Sequence, residues 1–205
     1  MRPIIQPVHI LGITGNIGSG KSTVCLLLQQ KGCPVIDADK EAHETYRHGT
    51  DVWREIVSTF GPEVLGADGE IDRDSLGRKV FSDATSREQL NDLVHPATRK
   101  RVMEYLSLCS NQGHKWAAVE ATLLIEAGWQ DMVDRTWLVA SPEKVVVQRL
   151  LQDRGQSETV SKARIAAQMS ALEKMEHADD IIYNDGTMND LEARVTQLWQ
   201  NLPRA

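Results

Sequence analysis

Short runs of apolar, β-branched residues alternate along the chain with longer stretches whose apolar positions recur every three or four residues. Residues 8–13 form such a run, which stops at Thr14-Gly15 and reads as a buried strand. The next stretch carries Val24, Leu27 and Leu28 on one stripe, starts near Lys21-Ser22 and is closed by Gly32, which predicts a helix. Pro34-Val35-Ile36 restores a strand pattern that ends at Asp37-Ala38-Asp39. Strand, helix and strand in this order form a βαβ unit, and such a unit demands a parallel sheet.

From about residue 40 to residue 112 the sequence is polar and helix-rich, punctuated at Gly61-Pro62, Gly66-Ala67-Asp68-Gly69 and Ser82-Asp83. About 70 residues are too many for one crossover helix, so an inserted helical lobe is expected. Residues 116–120 and 136–140 read as further strands. Ser141-Pro142-Glu143 opens a helix, with Ser141 as the expected N-cap and Pro142 at its first position. Residues 152–161 read as a polar connection, and 162–177 as one helix with Ile165, Met169 and Leu172 on a common face. A last strand over 180–183 and a helix over 188–199, carrying Leu191, Val195 and Leu198, complete the pattern.

Composition narrows the class. Of 205 residues, 41% are hydrophobic and 25% charged, the balance of a folded globular chain. A net charge of −6 argues against broad nucleic-acid binding, which needs a surplus of Lys and Arg on one face. Apolar runs fall well short of the roughly 20 residues that span a bilayer, and residues 1–7 lack the apolar segment of a secretory signal. A cytoplasmic setting without membrane partners is therefore expected. Cys25, Cys33 and Cys109 are odd in number and widely spaced, so neither a disulfide framework nor a zinc site is suggested.

The chemistry enters with Gly15-Asn16-Ile17-Gly18-Ser19-Gly20-Lys21-Ser22, which satisfies the phosphate-loop pattern G-x-x-x-x-G-K-[ST] at every defined position. It follows a strand and enters a helix, so its backbone N–H groups can converge on phosphate oxygens at the positive helix end. Lys21 is the expected point charge on the β and γ phosphates of ATP, Ser22 the expected Mg²⁺ ligand, and Thr23 the expected partner of the α phosphate.

Asp37 and Asp39 lie at the carboxyl end of the second strand, where open α/β sheets bind ligands. If the strand persists through Ala38, both carboxylates face one way, and Asp39 is then placed to accept a proton from an attacking hydroxyl. The other reading makes either Asp the cap of a helix beginning near Lys40. Glu120 is either a second acidic group holding Mg²⁺ through water or an exposed strand-end carboxylate. Arg149, Arg154 and Arg164 lie in or beside the polar connection, either as a lid that neutralises charge on the transferred phosphoryl group or as a solvated helix face.

Together these residues resemble the dephospho-coenzyme A kinase family. Residues 12–23 are similar to that family's opening, and Val35-Ile36-Asp37-Ala38-Asp39 to the segment after its first helix. Phe60-Gly61, Asp68-Gly69-Glu70-Ile71-Asp72-Arg73, Leu76-Gly77, Val80-Phe81 and Leu93-Val94-His95-Pro96 resemble its substrate-binding lobe. Leu123-Leu124-Ile125-Glu126, Gln168, Ala178-Asp179 and Asn184-Asp185-Gly186 extend the likeness over nearly the whole chain. Three positions depart from the family pattern: Thr122 replaces a Pro, Glu120 replaces an Asp, and Asp153 stands where a lid arginine is common, with Arg154 one place later.

The resemblance implies an α/β fold of the P-loop NTPase type, three layers deep with a parallel sheet. Its core would cover about 8–40 and 115–205, its helical substrate lobe about 41–114, and its lid about 150–168. It implies transfer of the ATP γ-phosphate to the ribose 3′-hydroxyl of dephospho-CoA, the last step of coenzyme A synthesis, by a monomer that uses Mg²⁺. Asp39 takes the general-base position; Lys21 and Arg149 act on the transferred group; Arg73 and His95 fall in the substrate lobe; Asn184 lies where adenine is expected. On the residues alone His95 reads as a helix-end His before Pro96. Two alternatives differ in what they need. A kinase for another alcohol would share the phosphate loop without the Asp72-Arg73 and His95-Pro96 segments, and a GTP-dependent binding module would show N-K-x-D, which this sequence lacks.

Overall fold

The five strands of the sheet are β1 (His9–Thr14), β2 (Val35–Asp37), β3 (Trp116–Glu120), β4 (Arg135–Ala140) and β5 (Asp180–Tyr183), in spatial order β2-β3-β1-β4-β5 with every pairing parallel. This comes from a computed structural model that describes residues 7–155 and 157–203; for Phe81, Ser82, Asp153 and Arg154 it describes the backbone. β1 is central. The chain moves from β1 outward past β3 to β2, then later crosses to β4 and β5 on the other side, which makes the carboxyl end of β1 the switch point at which open α/β sheets bind ligands.

Alternation along the strands fills one face. Leu11, Ile13, Trp116, Ala118, Trp137, Val139 and Ile182 pack in one core with Val24, Leu27 and Leu28 of α1 (Lys21–Gln30). Leu191 and Val195, from the C-terminal helix (Met188–Asn201), join the same cluster. Burying a Leu or Val side chain contributes about 1.5–3 kcal/mol, so this stripe holds α1, and with it the loop at its start, to the sheet. On the opposite face Gly12 lets the chain approach closely: a Cβ there would lie 2.7 Å from Leu124 and 3.2 Å from Val133.

The chain divides into two compact units, residues 1–37 with 106–205, and residues 38–105. The second is helical: α2 (Ala38–Thr45), α3 (Asp51–Phe60), α4 (Arg73–Ser82) and most of α5 (Ala84–Asn111), with a 3-10 turn over Pro62–Val64 and an isolated bridge between Leu65 and Ile71. Its core is Ile56, Phe60, Val64, Ile71, Leu76 and Val94.

Four expectations need correction. β2 stops at Asp37, and Ala38 and Asp39 already belong to the first turn of α2, so strand alternation does not align the two carboxylates. An acidic residue in a first helical turn is favoured by the helix dipole, which suits Asp39 to this place. Secondly, α5 runs through Pro96 instead of ending at His95. Val94 before the proline and Val102, Leu106 and Cys109 after it are all buried, and this continuous stripe outweighs one missing helical N–H.

Thirdly, Ser141 does not cap α6 (Glu143–Arg154): Pro142 is the cap residue, without a side-chain bond to the helix. Fourthly, the polar connection is mostly helix. α6 continues to Arg154 and is closed by Gly155, and Ser157 accepts from Val160 N to start α7 (Glu158–Ala166). The single helix expected over 162–177 is then interrupted. Ser170 and Glu173 form a reciprocal capping box that begins α8 (Ala171–Met175) and turns Leu172 to solvent, 76% exposed. The C-terminal helix, α9, opens with a second capping box from Thr187 and Asp190.

Candidate active site

The loop between β1 and α1 is bent by glycines for which a side chain has no room. Gly15 has φ +146°, and a Cβ would run into the carbonyl oxygen of Val139 and lie 2.8 Å from Ser19 Oγ. Gly20, at φ +100°, is the N-cap of α1, and a Cβ there would overlap Asn184 Nδ2. Lys21, buried at the start of the helix, donates from Nζ to the carbonyls of Gly15 (3.0 Å) and Asn16 (3.3 Å), so its ammonium lies over the loop. Two buried polar atoms of the loop, Asn16 Oδ1 and Ser19 Oγ, have no protein partner.

Ser22 Oγ donates to Glu120 Oε1 at 2.8 Å, which joins the first turn of α1 to the carboxyl end of β3. Glu120 is buried at 7% exposure, so the strand-end carboxylate is turned inward. Its charge acts together with burial on Cys25, whose thiol is pushed far above the ordinary cysteine range, first by desolvation and then by Glu120. A serine hydroxyl and one carboxylate side by side are the hard oxygen donors that Mg²⁺ takes when phosphates supply its other ligands, and the pair fits that ion. Among the described residues no group of three or more His, Cys, Asp or Glu is arranged as a metal site of its own.

The far side of the loop is braced by residues distant in sequence. Asn184 follows β5, is buried, and donates from Nδ2 to Ser19 O at 2.8 Å. Ser141 Oγ lies 3.0 Å from Ser19 O and 2.8 Å from Asn184 O, so the hydroxyl joins loop and strand end instead of capping α6. Arg149 of α6 points back at the same cluster, donating to Ser141 Oγ (3.2 Å), Asn184 O (3.2 Å) and Ser19 O (3.4 Å). Arg164 is exposed on α7. The side chain of Arg154, the other lid arginine named from sequence, lies outside the described residues.

Four residues here escaped residue-by-residue reading. Gln168 Oε1 accepts from Ile17 N (3.0 Å), and Met169 O from Asn16 Nδ2 (3.1 Å). Glu126 Oε1 accepts from Met169 N (3.2 Å) and pairs with Lys174 Nζ (2.9 Å). Gln168 and Glu126 entered the sequence reading through the family likeness; Met169 reads only as part of an apolar helix face, and nothing in local periodicity marks Lys174.

In the helical unit, Asp39 is exposed on α2. Arg73 is the first residue of α4, after the N-cap Asp72, and its guanidinium donates to His43 Nδ1 at 3.1 Å. His43 stands edge-on to Tyr46, ring centres 5.8 Å apart. Asp72 is held below the usual carboxylate range by hydrogen bonds from the Ser75 hydroxyl and the N–H groups of Ser75 and Asp74. His95 is half-buried on α5, and desolvation lowers its pKa.

Comparison with known proteins agrees with this geometry. The Dephospho-CoA kinase family matches residues 9–190. The dephospho-CoA kinase of Symbiobacterium thermophilum is 40% identical over 193 residues, covering 94% of this chain and 81% of that protein. That of Geobacter sulfurreducens is 40% identical over 192 residues, covering 94% and 98%. Among solved structures, the protein TT1252 from Thermus thermophilus superposes with a TM-score of 0.84 at 37% identity, covering 97% of this chain and all of that one. A dephospho-CoA kinase from Campylobacter jejuni gives 0.69 at 26% identity, covering 94% and 96%. A shikimate kinase from Bacteroides thetaiotaomicron, at 19% identity and a TM-score of 0.51, shares the fold. A phosphate loop on the central strand of a parallel sheet is common to many kinases, whereas a match through both the loop and the helical segment is not, and on that ground the chain belongs to the dephospho-CoA kinase family.

Proposed function

We infer that this protein transfers the γ-phosphoryl group of ATP to the ribose 3′-hydroxyl of dephospho-CoA, giving coenzyme A and ADP in the final step of coenzyme A biosynthesis. The observation that carries this is the family match, which extends over residues 9–190 and so takes in the phosphate loop and the helical unit. Lys21 and the loop N–H groups hold the β and γ phosphates, with Lys21 exchanging its carbonyl partners for phosphate oxygens. Ser22 and Glu120 hold Mg²⁺, supported by their 2.8 Å juxtaposition. When bound, Mg²⁺ neutralises charge on the β and γ phosphates during transfer.

Asp39 orients the acceptor hydroxyl and takes its proton; its place in the turn that leaves β2 supports this, because β2 ends at the ligand-binding edge of the sheet. Arg149 keeps positive charge beside the loop through the carbonyls it binds. Arg73 and His95 belong to the substrate-binding helical unit, residues 38–105, and Asn184 to the adenine end of the ATP site, with Thr23 on the α phosphate. The segment around α6 and α7 acts as the lid. The protein works as a cytoplasmic monomer; no helix among the described residues is long and apolar enough to cross a membrane.

A coupled assay of ADP release with Mg·ATP tests the reading, run with dephospho-CoA, with no acceptor, and with a panel of nucleosides and shikimate. Stimulation by dephospho-CoA alone, with coenzyme A as product, is expected. Stimulation by another alcohol in its place would overturn the substrate assignment.

A further inference from the structure

The Lys174 side chain is completely buried, yet no step of phosphoryl transfer uses it. It sits on the short helix α8, where its ammonium reaches Glu126 Oε1 at 2.9 Å and the carbonyl of Thr122 at 2.7 Å. Both acceptors lie in the segment that follows β3. A buried ammonium is costly unless paired, and a buried ion pair is often no more stable than apolar side chains of the same volume. Stability alone is therefore a weak reason for this pair, and what it touches points elsewhere.

Glu126 Oε1 also accepts from Met169 N at 3.2 Å, in the turn between α7 and α8. The same turn holds the phosphate loop from outside at two successive residues: Met169 O accepts from Asn16 Nδ2 at 3.1 Å, and Gln168 Oε1 accepts from Ile17 N at 3.0 Å. Lys174, Glu126, Met169 and Asn16 thus form an unbroken polar chain from a buried charge to the loop that cradles ATP. We propose that Lys174 and Glu126 are positioning residues which, through the Gln168–Met169 turn, hold the outer edge of the phosphate loop in its ATP-binding shape.

The Coulomb attraction is what the mechanism needs. With its three donors, Lys174 draws Glu126 to one place, and Glu126 then offers an oxygen to Met169 N at a set height above the loop. Neutral side chains of the same size would fill the space without aiming that oxygen. Gln168 adds the direct link: its carbonyl holds the Ile17 N–H outward, which keeps the peptide planes of Asn16 and Ile17 from turning in the absence of nucleotide.

This inference rests on the kinase reading above, and nucleotide affinity separates the two. The wild-type enzyme, the double variant Lys174→Met/Glu126→Met and the single variant Gln168→Ala are compared. Readouts are thermal unfolding, binding of a fluorescent ATP analogue without acceptor, and KM for ATP and for dephospho-CoA. The double variant removes both charges, so no unpaired charge is left inside and folding is retained. The expected result is a melting temperature within a few degrees of wild type, ATP-analogue affinity and KM for ATP weakened about five- to tenfold in both variants, and KM for dephospho-CoA changed less than twofold. A purely structural role would reduce the active fraction, hence kcat, and leave both KM values unmoved; that outcome, or unchanged analogue affinity, overturns the proposal. Wild-type turnover that ignores dephospho-CoA while the variants still lose ATP affinity would sink the substrate assignment and spare this inference.

Discussion

At residue scale, two positions separate binding from chemistry. Asp39 is exposed on the first turn of α2, outside the phosphate-loop motif of residues 15–22. Asp39→Asn keeps size and polarity but loses the proton acceptor, so kcat is expected to fall by roughly 10² or more, within the range assigned to general-base catalysis, while ATP-analogue binding stays near wild type. Loss of ATP binding along with activity would count against that role. Gly20→Ala acts the other way. Its Cβ would meet Asn184 Nδ2 at a φ of +100°, strained for an L residue, so the bracing of Ser19 by Asn184 must give way. ATP affinity is expected to drop by at least tenfold, with the β-sheet core, read by far-ultraviolet circular dichroism, intact.

At the scale of elements, the helices differ in how clearly the sequence announces them. α1 is legible from Val24, Leu27, Leu28 and the terminal Gly32, because its apolar stripe faces one core and its end is a positive-φ glycine. α5 is not, because local rules stop a helix at His95-Pro96 while burial of Val94, Val102 and Leu106 carries it on. That conflict is measurable. An interior proline costs a helix about 3 kcal/mol, and exchange for Ala returns about 0.4–1 kcal/mol to the unfolded chain as entropy. Pro96→Ala is therefore expected to stabilise the protein against urea by about 2–2.6 kcal/mol; destabilisation would show that Pro96 contributes packing that its exposed position conceals. The break between α7 and α8 is legible only in hindsight: Ser170-x-x-Glu173 is a capping box, but Ile165, Met169 and Leu172 follow helical spacing straight across it.

For the whole molecule, charge and protonation set the response to acid. Burial lowers the pKa of His95 below its ordinary 6.5, so the folded state binds fewer protons than the unfolded one between those values. Stability is then greatest above pH 6.5 and declines as pH falls below it. Asp72, Asp83, Asp190 and Glu173 are lowered by hydrogen bonds from Ser75, Ser86, Thr187 and Ser170, and Asp185 by Arg194. Their contributions are complete above the unfolded carboxylate values near 4 and are lost as pH falls below them. Melting temperatures between pH 8 and 3 should fall gently below 6.5 and steeply below 4, and His95→Gln should remove the gentle step. A melting temperature that rises between pH 7 and 5.5 would contradict the His95 assignment.

The phosphate loop, the five strands and the helical insertion are legible in the residues alone, because each rests on local physics: glycines where backbone must approach an anion, β-branched runs where a strand is buried, helical spacing where one face is apolar. Which distant groups gather around that loop is set by the folded arrangement of the chain. Ser141, Arg149 and Asn184 come from three elements, and Glu126, Gln168 and Lys174 from two further segments. Arg149, Gln168 and Asn184 serve loop atoms more than 100 residues away, and Glu126 and Lys174 serve partners 43 and 52 residues away, separations over which the periodicity of a local helix carries no information. The same holds for Asp39, whose place on a helix was settled by where β2 runs out of partners on β3, at the pair Asp37 and Glu120.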